Sequence, residues 1–170
     1  MHKRGILHRD IKSQNIFITA TNDLKLGDFG IARVLLRADD KVVTAIGTPY
    51  YLSPEICQEK PYDQKSDVWG LGCILYEMME LRRPFEASSL KGLVLKIING
   101  ILPDFTRAFS KELIQILMEM LSKDPAKRPS IVNILEKPFI KSKIGAVLSQ
   151  TVRKFDEYKA AKQPQILVSV

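Results

Sequence analysis

Apolar residues follow two kinds of spacing along the chain. Near the N-terminus, Ile16–Ile18 and Leu24–Leu26 are short apolar or β-branched runs on either side of the polar stretch 21–23. Two such runs around a turn sequence predict a small β-hairpin. From Ser66 onwards, apolar residues recur every three or four positions, which predicts helices. The pattern as a whole therefore predicts a mainly α fold with one small β-hairpin.

Four helices are predicted in this second part. Residues 66–79 carry apolar side chains on so many faces that we expect a buried central helix. Ser88, Ser110 and Ser130 each precede a further periodic stretch, where a serine side chain can cap the N-terminus of a helix. Gly100 follows the first of these three stretches, in the place where glycine commonly ends a helix.

Two sections stand apart from the helices. Section 28–61 contains glycine and several prolines, and we interpret it as mostly loop. Beyond Lys141 the chain becomes basic, and apolar residues spaced along this tail allow an amphipathic helix. Two interpretations of the tail stay open. It is either a helix or linker attached to the domain, or a contact with a membrane surface or nucleic acid.

Composition narrows the class of protein. The 170 residues are 45% hydrophobic and carry a net charge of +7, and the basic residues are scattered rather than clustered. A solvated basic surface explains that charge, and since the zinc-finger and aromatic-plus-basic motifs are missing we expect no nucleic-acid partner. No apolar run approaches the roughly 18 residues of a membrane span, so none is expected. Cys57 and Cys73 are too few for a disulfide framework, and we interpret them as reduced thiols.

The residues with the most specific chemistry lie between His8 and Asp28. Asp10, Lys12 and Asn15 follow His8 closely, and Asp28 comes thirteen residues after Asn15. Phosphoryl transfer needs a carboxylate to orient the attacking hydroxyl, a cation to offset charge and hard oxygen ligands for Mg²⁺. These four side chains supply those roles, and the predicted hairpin would return Asp28 to the side of Asn15.

In these residues the chain resembles the eukaryotic protein kinases. The run from His8 to Asn15 is similar to the catalytic loop of the family, and Asp28-Phe29-Gly30 to its metal-binding motif. Three further landmarks match in the family's order: Gly47 to Tyr51, Ser53 to Glu55 and Asp67 to Gly72, with Ser53 standing where the family usually has alanine. The amino-acid sequence of these stretches is very similar to that of the NIMA-related serine/threonine kinases.

The resemblance implies an architecture and a domain division. It extends from His8 to about Ile140, so residues 1–140 would form a kinase C-terminal lobe, with the N-terminal lobe absent. Within that lobe, 8–15 would be the catalytic loop and 28–55 the activation segment. Residues 141–170 would form a basic C-terminal tail.

The resemblance also implies roles at the reacting centre. Asp10 would be the catalytic base, and Lys12 would contact the γ-phosphate of ATP. Asn15 and Asp28 would bind Mg²⁺. ATP and Mg²⁺ are therefore the implied cofactors, and proteins with serine or threonine hydroxyls are the implied substrates.

Substrate binding and regulation fall on the activation segment. Thr48 lies in the implied substrate-facing loop. Thr44 lies where the family is commonly phosphorylated, which implies an upstream activating kinase. We expect a phosphate on Thr44 to pair with Arg9 and order the segment.

Three other residues are assigned to structure rather than chemistry. In kinases of this type, the residue at the position of Asp67 braces the backbone of the His8-Arg9-Asp10 turn. Glu55 would pair with Arg128, and a buried pair of this kind costs about 3–5 kcal/mol to half-break.

Some parts of a complete kinase do not occur in these 170 residues. A Gly-rich loop, a strand lysine and the helix glutamate that holds this lysine are missing. The glycines at 70 and 72 and the stretch 93–96 imitate two of these motifs but fall in predicted helices. We therefore expect the 170 residues alone to transfer phosphate poorly.

Two functions remain open from the sequence. The first is a NIMA-related serine/threonine kinase, which implies a cytoplasmic location and an association with the centrosome or cilium. The second is a truncated, catalytically incompetent fragment that acts as a protein-interaction module.

Overall fold

The computed structural model of the protein describes residues 1–28 and 49–149. The chain forms two compact units, Met1–Ile131 and Val132–Val170. The described residues are mostly helical, as the sequence pattern predicts. Their helices are α1 (Pro54–Cys57), α2 (Gln64–Glu80), α3 (Leu90–Asn99), α4 (Lys111–Met120), α5 (Ile131–Glu136) and α6 (138–149), with short 3₁₀ turns at His2–Arg4, Ser13–Asn15 and Pro125–Lys127.

The predicted hairpin is confirmed. Strands β1 (Ile16–Ile18) and β2 (Leu24–Leu26) pair antiparallel, with Ile16 opposite Leu26. A further hydrogen bond, from the Gly27 amide to the Asn15 carbonyl at 2.9 Å, continues the pairing beyond the strands. This bond matters for the candidate active site described below, because Asn15 and Asp28, the residue after Gly27, are both candidate residues of that site.

Helix α2 is the buried central helix that the pattern predicts. Trp69, Cys73 and Tyr76 on α2 are completely inaccessible to solvent. They pack in one apolar cluster with Leu93 of α3 and Leu117 of α4. Burial of apolar side chains stabilises a fold by about 25 cal/mol for each Å² of apolar surface that is removed from water. This cluster is therefore the main source of stability in the first unit.

The helix starts agree only in part with the predicted caps. Ser110 caps α4 through a hydrogen bond from the Leu113 amide at 3.3 Å, as predicted. The cap of α3 is Ser89, which accepts from the Gly92 amide at 3.1 Å, so the prediction of Ser88 was wrong by one residue. Both serines can cap a helix, and apolar periodicity fixes a boundary only to within one or two residues.

Helix α1 lies inside the section that the sequence analysis interpreted as loop. It begins at Pro54, and proline suits the first helical position because its backbone carries no N–H to satisfy. Its four residues are too few to show helical periodicity, which explains the error.

Gly100 ends α3, but not through a left-handed backbone. Its φ is −69°, in the extended region. A Cβ at this position would lie 2.4 Å from the Lys96 carbonyl oxygen. Glycine is therefore required here by the close approach of the helix end, and not by a positive φ.

The described part of the second unit is helical. The tail helix predicted beyond Lys141 begins earlier, at residue 138, and continues to 149. Residues 150–170 lie outside the described part of the tail. Within the described residues, no helix is both long and apolar enough to cross a membrane.

Candidate active site

The carboxylate of Asp10 lies at the centre of a polar cluster. Lys12 donates from its Nζ to Asp10 Oδ2 at 2.6 Å, and Asn15 Nδ2 donates to the same oxygen at 3.0 Å. Asn15 Nδ2 also donates to the Asp10 backbone carbonyl at 2.8 Å. These contacts hold one carboxylate oxygen, whereas the other accepts no hydrogen bond from the described residues. Asp10 therefore has an oxygen to offer to an incoming hydroxyl.

Asn15 and Asp28 are joined through the backbone. The hydrogen bond from Gly27 to Asn15 places Asp28 one residue beyond the partner of Asn15. The Asn15 side chain is buried and directs its amide nitrogen toward Asp10, which leaves its amide oxygen without a hydrogen bond among the described residues. An amide oxygen and the exposed Asp28 carboxylate are hard donors of the type that Mg²⁺ prefers. The residues present therefore fit a magnesium ion.

The backbone at two of these positions is left-handed. Arg9 has a φ of 68° and Asp28 a φ of 52°. Positive φ is uncommon for residues other than glycine, and such backbones occur often at functional sites, where the surrounding structure holds them. At Arg9 the holding contact is a hydrogen bond from its amide to Asp67 Oδ1 at 3.0 Å.

Asp67 of α2 fixes the turn that carries Asp10. Besides the Arg9 amide, its carboxylate accepts from the His8 amide at 3.0 Å, from His2 Nε2 at 2.7 Å and from the Tyr62 hydroxyl. Burial alone would raise the pKa of Asp67, but these donors outweigh it and lower the pKa. Asp67 therefore remains a charged acceptor that ties loop 8–15 to the buried helix α2.

Sequence reasoning missed the contributions of Tyr62 and His2. Burial and the nearby Asp67 carboxylate raise the pKa of Tyr62, so its hydroxyl stays protonated and donates. Neither residue forms a local motif with Asp67. His2 is 65 residues away in sequence, so only the fold reveals the contact.

His8 connects loop 8–15 to the end of the hairpin. Its ring is fully buried, and Nε2 lies 3.1 Å from the Gly27 carbonyl oxygen, to which it donates. Nδ1 accepts from the Asp10 amide at 3.3 Å. The ring therefore sits between the residue that precedes Asp28 and the backbone of Asp10.

Gly70 allows α2 to approach loop 8–15 closely. A Cβ at this position would lie 2.9 Å from the Ile11 carbonyl oxygen and 3.0 Å from the Ile11 Cβ. In the sequence this glycine only imitates a Gly-rich loop. In the structure Gly70 has a different role, because Ile11, the residue after Asp10, packs directly against it.

Replacing this glycine gives the first prediction. We expect Gly70→Ala to destabilise the chain by about 1–3 kcal/mol, because the added methyl group overpacks against the backbone of Ile11. This loss would exceed the roughly 1 kcal/mol by which alanine is the better helix former. The free energy of unfolding, measured by urea denaturation, checks it.

Gly145→Ala is the matched control. Gly145 is also helical, but nothing lies within 4 Å of its ideal Cβ. The control should be neutral or stabilise the chain by up to about 1 kcal/mol. Equal effects of the two substitutions would show that the approach of α2 to Ile11 is not tight.

Glu55 and Arg128 form a buried two-pronged ion pair. Arg128 Nη1 lies 2.6 Å from Glu55 Oε1, and Nη2 lies 2.7 Å from Oε2. Ser66 donates to Oε1 at 2.6 Å. The remaining guanidinium N–H groups donate to the backbone carbonyls of Lys65, Ser122 and Lys123. This network joins α1, α2 and the segment before α5.

Electrostatics within the pair favour the charged form of Glu55. Burial alone would raise the pKa of Glu55, but the hydrogen bonds from Arg128 and Ser66 outweigh it and lower the pKa. Arg128 is only 1% exposed, so the loss of its partner would leave a charge buried in the protein. Removing one partner of the pair would therefore destabilise the fold, and the pair does not lie in the Asp10 cluster.

The structure brings together some of the residues that the sequence singled out. Asp10 is in direct contact with both Lys12 and Asn15, and Asp28 follows the backbone partner of Asn15. Thr44 and Thr48 lie outside the described residues, as do Phe29 and Gly30. Among the described residues, no group of three or more histidine, cysteine, aspartate or glutamate side chains could hold a metal ion.

Comparisons with known proteins identify a family for this chain. The protein kinase domain family matches residues 1–140. The mouse serine/threonine-protein kinase Nek1 is 54% identical over 149 residues, which are 88% of this chain and 12% of Nek1. Mouse Nek4 is 49% identical over 91% of the chain and 19% of its own length, and human Nek5 is 50% identical over 89% of the chain and 22% of its own. The chain thus spans less than a quarter of each relative.

Proposed function

The chain belongs to the protein kinase family, among the NIMA-related serine/threonine kinases, and we propose that it transfers the γ-phosphate of ATP to serine or threonine hydroxyls of proteins. The observation that supports this most strongly is the contact of Lys12 and Asn15 with a single carboxylate, that of Asp10. Asp28 follows the backbone partner of Asn15 at the edge of the same cluster.

The proposed mechanism gives each of these side chains one task. The Asp10 carboxylate orients the attacking hydroxyl through the oxygen that accepts no hydrogen bond from the described residues, and it takes up the hydroxyl proton as the new oxygen–phosphorus bond forms and ADP leaves. Lys12 places its ammonium group beside this carboxylate, where it offsets charge on the transferring phosphoryl group. Asn15 and Asp28 would provide oxygens for a magnesium ion, which would neutralise phosphate charge when bound.

We propose that residues 1–140 are the C-terminal lobe of the kinase and that 141–170 are a basic tail. The surface of the hairpin supports the lobe assignment. Ile18 and Leu24 lie opposite each other on one face of the hairpin and are 70% and 71% exposed, although both are large and apolar. Adjacent apolar side chains left open in this way usually mark a surface that another part of a protein covers. We place the N-terminal lobe of a kinase there.

The regulatory part of the proposal concerns the activation segment, 28–55. Thr48 would lie beside the substrate hydroxyl, and Thr44 would be phosphorylated by an upstream kinase. Arg9 is exposed and could pair with that phosphate next to Asp10. The association of such a kinase with the centrosome or cilium is part of the same proposal.

A chimera tests the activity. The chain would be joined to the region of mouse Nek1 that carries the Gly-rich loop, the strand lysine and the helix glutamate. We expect the chimera to transfer phosphate from Mg-ATP to a serine/threonine protein substrate. A chimera that folds and binds Mg-ATP but transfers no phosphate would instead support an interaction module.

Asp28→Asn in this chimera gives the second prediction. Loss of one negative charge from the proposed magnesium site should reduce phosphoryl transfer by about 100-fold, because a bound metal contributes several kcal/mol of charge stabilisation. The Mg²⁺ concentration that gives the half-maximal rate should be higher in Asp28→Asn than in the unsubstituted chimera. Asp63→Asn, at the exposed N-cap of α2, is the control for charge alone and should leave the Mg²⁺ dependence unchanged. An unchanged Mg²⁺ dependence in Asp28→Asn would contradict its role.

A further inference from the structure

A series of hydrogen bonds from Ser13 through Tyr51 to Glu77 joins the catalytic loop to α2. Ser13, in the 3₁₀ turn after Asp10, has its Oγ 2.7 Å from the hydroxyl oxygen of Tyr51. The Tyr51 hydroxyl lies 2.8 Å from both carboxylate oxygens of Glu77. A carboxylate only accepts, so Tyr51 donates its proton to Glu77 and Ser13 donates to Tyr51. The Ser13 hydroxyl also lies 3.5 Å from Gln14 Oε1, which is at the outer limit for a hydrogen bond.

Ser13 and Tyr51 belong to different parts of the proposed active site. Ser13 comes three residues after Asp10, whereas Tyr51 comes three residues after Thr48, the proposed substrate-facing residue. The bond between them joins positions 38 residues apart in sequence. It therefore connects the loop that would perform the reaction to the loop that would hold the protein substrate.

Glu77, the last group in this series of hydrogen bonds, belongs to helix α2 and is held there by further contacts. Besides Tyr51, Glu77 lies 3.7 Å from Arg83, which is an ion-pair distance. The Arg83 guanidinium stacks 3.8 Å from the centre of the Tyr50 ring. Both tyrosines of the loop are thus held by residues of α2 or of the segment directly after it. Because α2 is buried, Tyr51 is a fixed point against which Ser13 is positioned.

We propose that Ser13 is a positioning residue that sets the distance between the catalytic loop and the substrate loop. This inference rests on the proposed kinase function, and it assigns the Ser13 hydroxyl to protein-substrate binding rather than to ATP binding. Ser13 is exposed, so the loss of its hydroxyl should change the stability of the fold little. A shift of about 1 Å between reacting groups can nevertheless change a rate 100-fold.

The contact itself can be tested in the chain without any enzymatic assay. In protein labelled with ¹³C at tyrosine Cζ, the Tyr51 signal is identified by its loss in Tyr51→Phe. Ser13→Ala should shift this signal, and Ser13→Thr should restore it because threonine keeps the hydroxyl. Burial raises the pKa of Tyr51, whereas the Ser13 hydrogen bond lowers it, so the pKa should rise further in Ser13→Ala. Ser142→Ala, which removes an exposed hydroxyl bonded to the Phe139 carbonyl, should leave the signal unchanged.

The role of the contact is tested by kinetics in the chimera with Nek1. Loss of one such hydrogen bond should raise the KM for a peptide substrate about 5–10-fold in Ser13→Ala, with the KM for ATP and the unfolding midpoint unchanged. Tyr51→Phe removes the donor to Glu77 as well, so the double variant should be no worse than Tyr51→Phe alone. Ser13→Thr should restore the peptide KM.

Three results would overturn the inference. They are a Tyr51 signal that does not respond to Ser13→Ala, an unchanged peptide KM in an active Ser13→Ala chimera, and additive effects of Ser13→Ala and Tyr51→Phe. A chimera with Ser13 intact that transfers no phosphate would overturn the proposed function, and the role of Ser13 with it. The two kinds of failure are therefore distinguishable.

Discussion

Asp10→Asn is expected to lower the kcat of the chimera by about 10³–10⁴-fold with little change in the KM for ATP. The amide keeps the size of the side chain and can still contact Lys12 and Asn15. It cannot accept the proton of the attacking hydroxyl, and a positioned general base typically contributes 10²–10⁴-fold. The lost charge beside Lys12 adds to that effect, because the ammonium group then lacks its partner. Steady-state kinetics with a peptide substrate measure both constants.

Asp104→Asn is the matched control for this substitution. Asp104 is an exposed aspartate outside the cluster, and its replacement should leave kcat within about twofold. Retention of more than a tenth of the kcat in Asp10→Asn, with the control unaffected, would show that Asp10 is not the base.

Arg128→Met is expected to lower the free energy of unfolding by about 3–5 kcal/mol. Methionine can fill much of the space, but it leaves the buried Glu55 carboxylate without its two charged hydrogen bonds. A typical domain is stable by only about 5–15 kcal/mol, so this single change would remove a large part of that stability. Urea denaturation at pH 7 measures it.

Two comparisons separate the ion pair from simple loss of packing. The double variant Glu55→Leu/Arg128→Met should recover much of the loss, because an apolar pair carries no unpaired charge. Arg107→Met, which changes an exposed arginine, should alter stability by no more than about 0.5 kcal/mol. A loss below about 1 kcal/mol in Arg128→Met would contradict the role given to the pair.

The pair also predicts how acid affects stability. The folded-state pKa of Glu55 lies below its ordinary value of 4.5, so the pair stabilises the fold fully above that value. This contribution is lost as the pH falls through the lower, folded-state pKa. The Arg128→Met variant should therefore lose less stability than the wild type over the same acidic range.

The sequence predicted a helix correctly where a regular apolar face and a capping side chain mark it locally. Helix α4 carries a regular apolar face, and Ser110 caps it as expected. In α1 the pattern failed, because four residues beginning with proline give no periodicity. At α3 two adjacent serines were equally good caps, and only the backbone geometry distinguishes them.

In the site, the sequence identified side chains but not the contacts that hold them. The spacing of Asp10, Lys12 and Asn15 is local, so a motif could reveal it. Gly70 approaches Ile11 closely although Ile11 lies 59 residues earlier in the sequence (70 − 11), and a glycine within a helix gives no signal of such a neighbour. Tyr51 likewise becomes a partner of Ser13 only when the chain folds. Such contacts depend on how distant elements pack, which no local pattern encodes.

The central claim is that Asp10, Asn15 and Asp28 surround one metal–nucleotide site. Mn²⁺ can replace Mg²⁺ at oxygen ligands and broadens the NMR signals of nearby nuclei. In the chimera, Mn-ATP should therefore broaden the amide signals of these three residues first and leave those of Gly145 and Asp104 sharp. An unbroadened Asp28 alongside a strongly broadened Asn15, or broadening centred elsewhere in the chain, would contradict the claim.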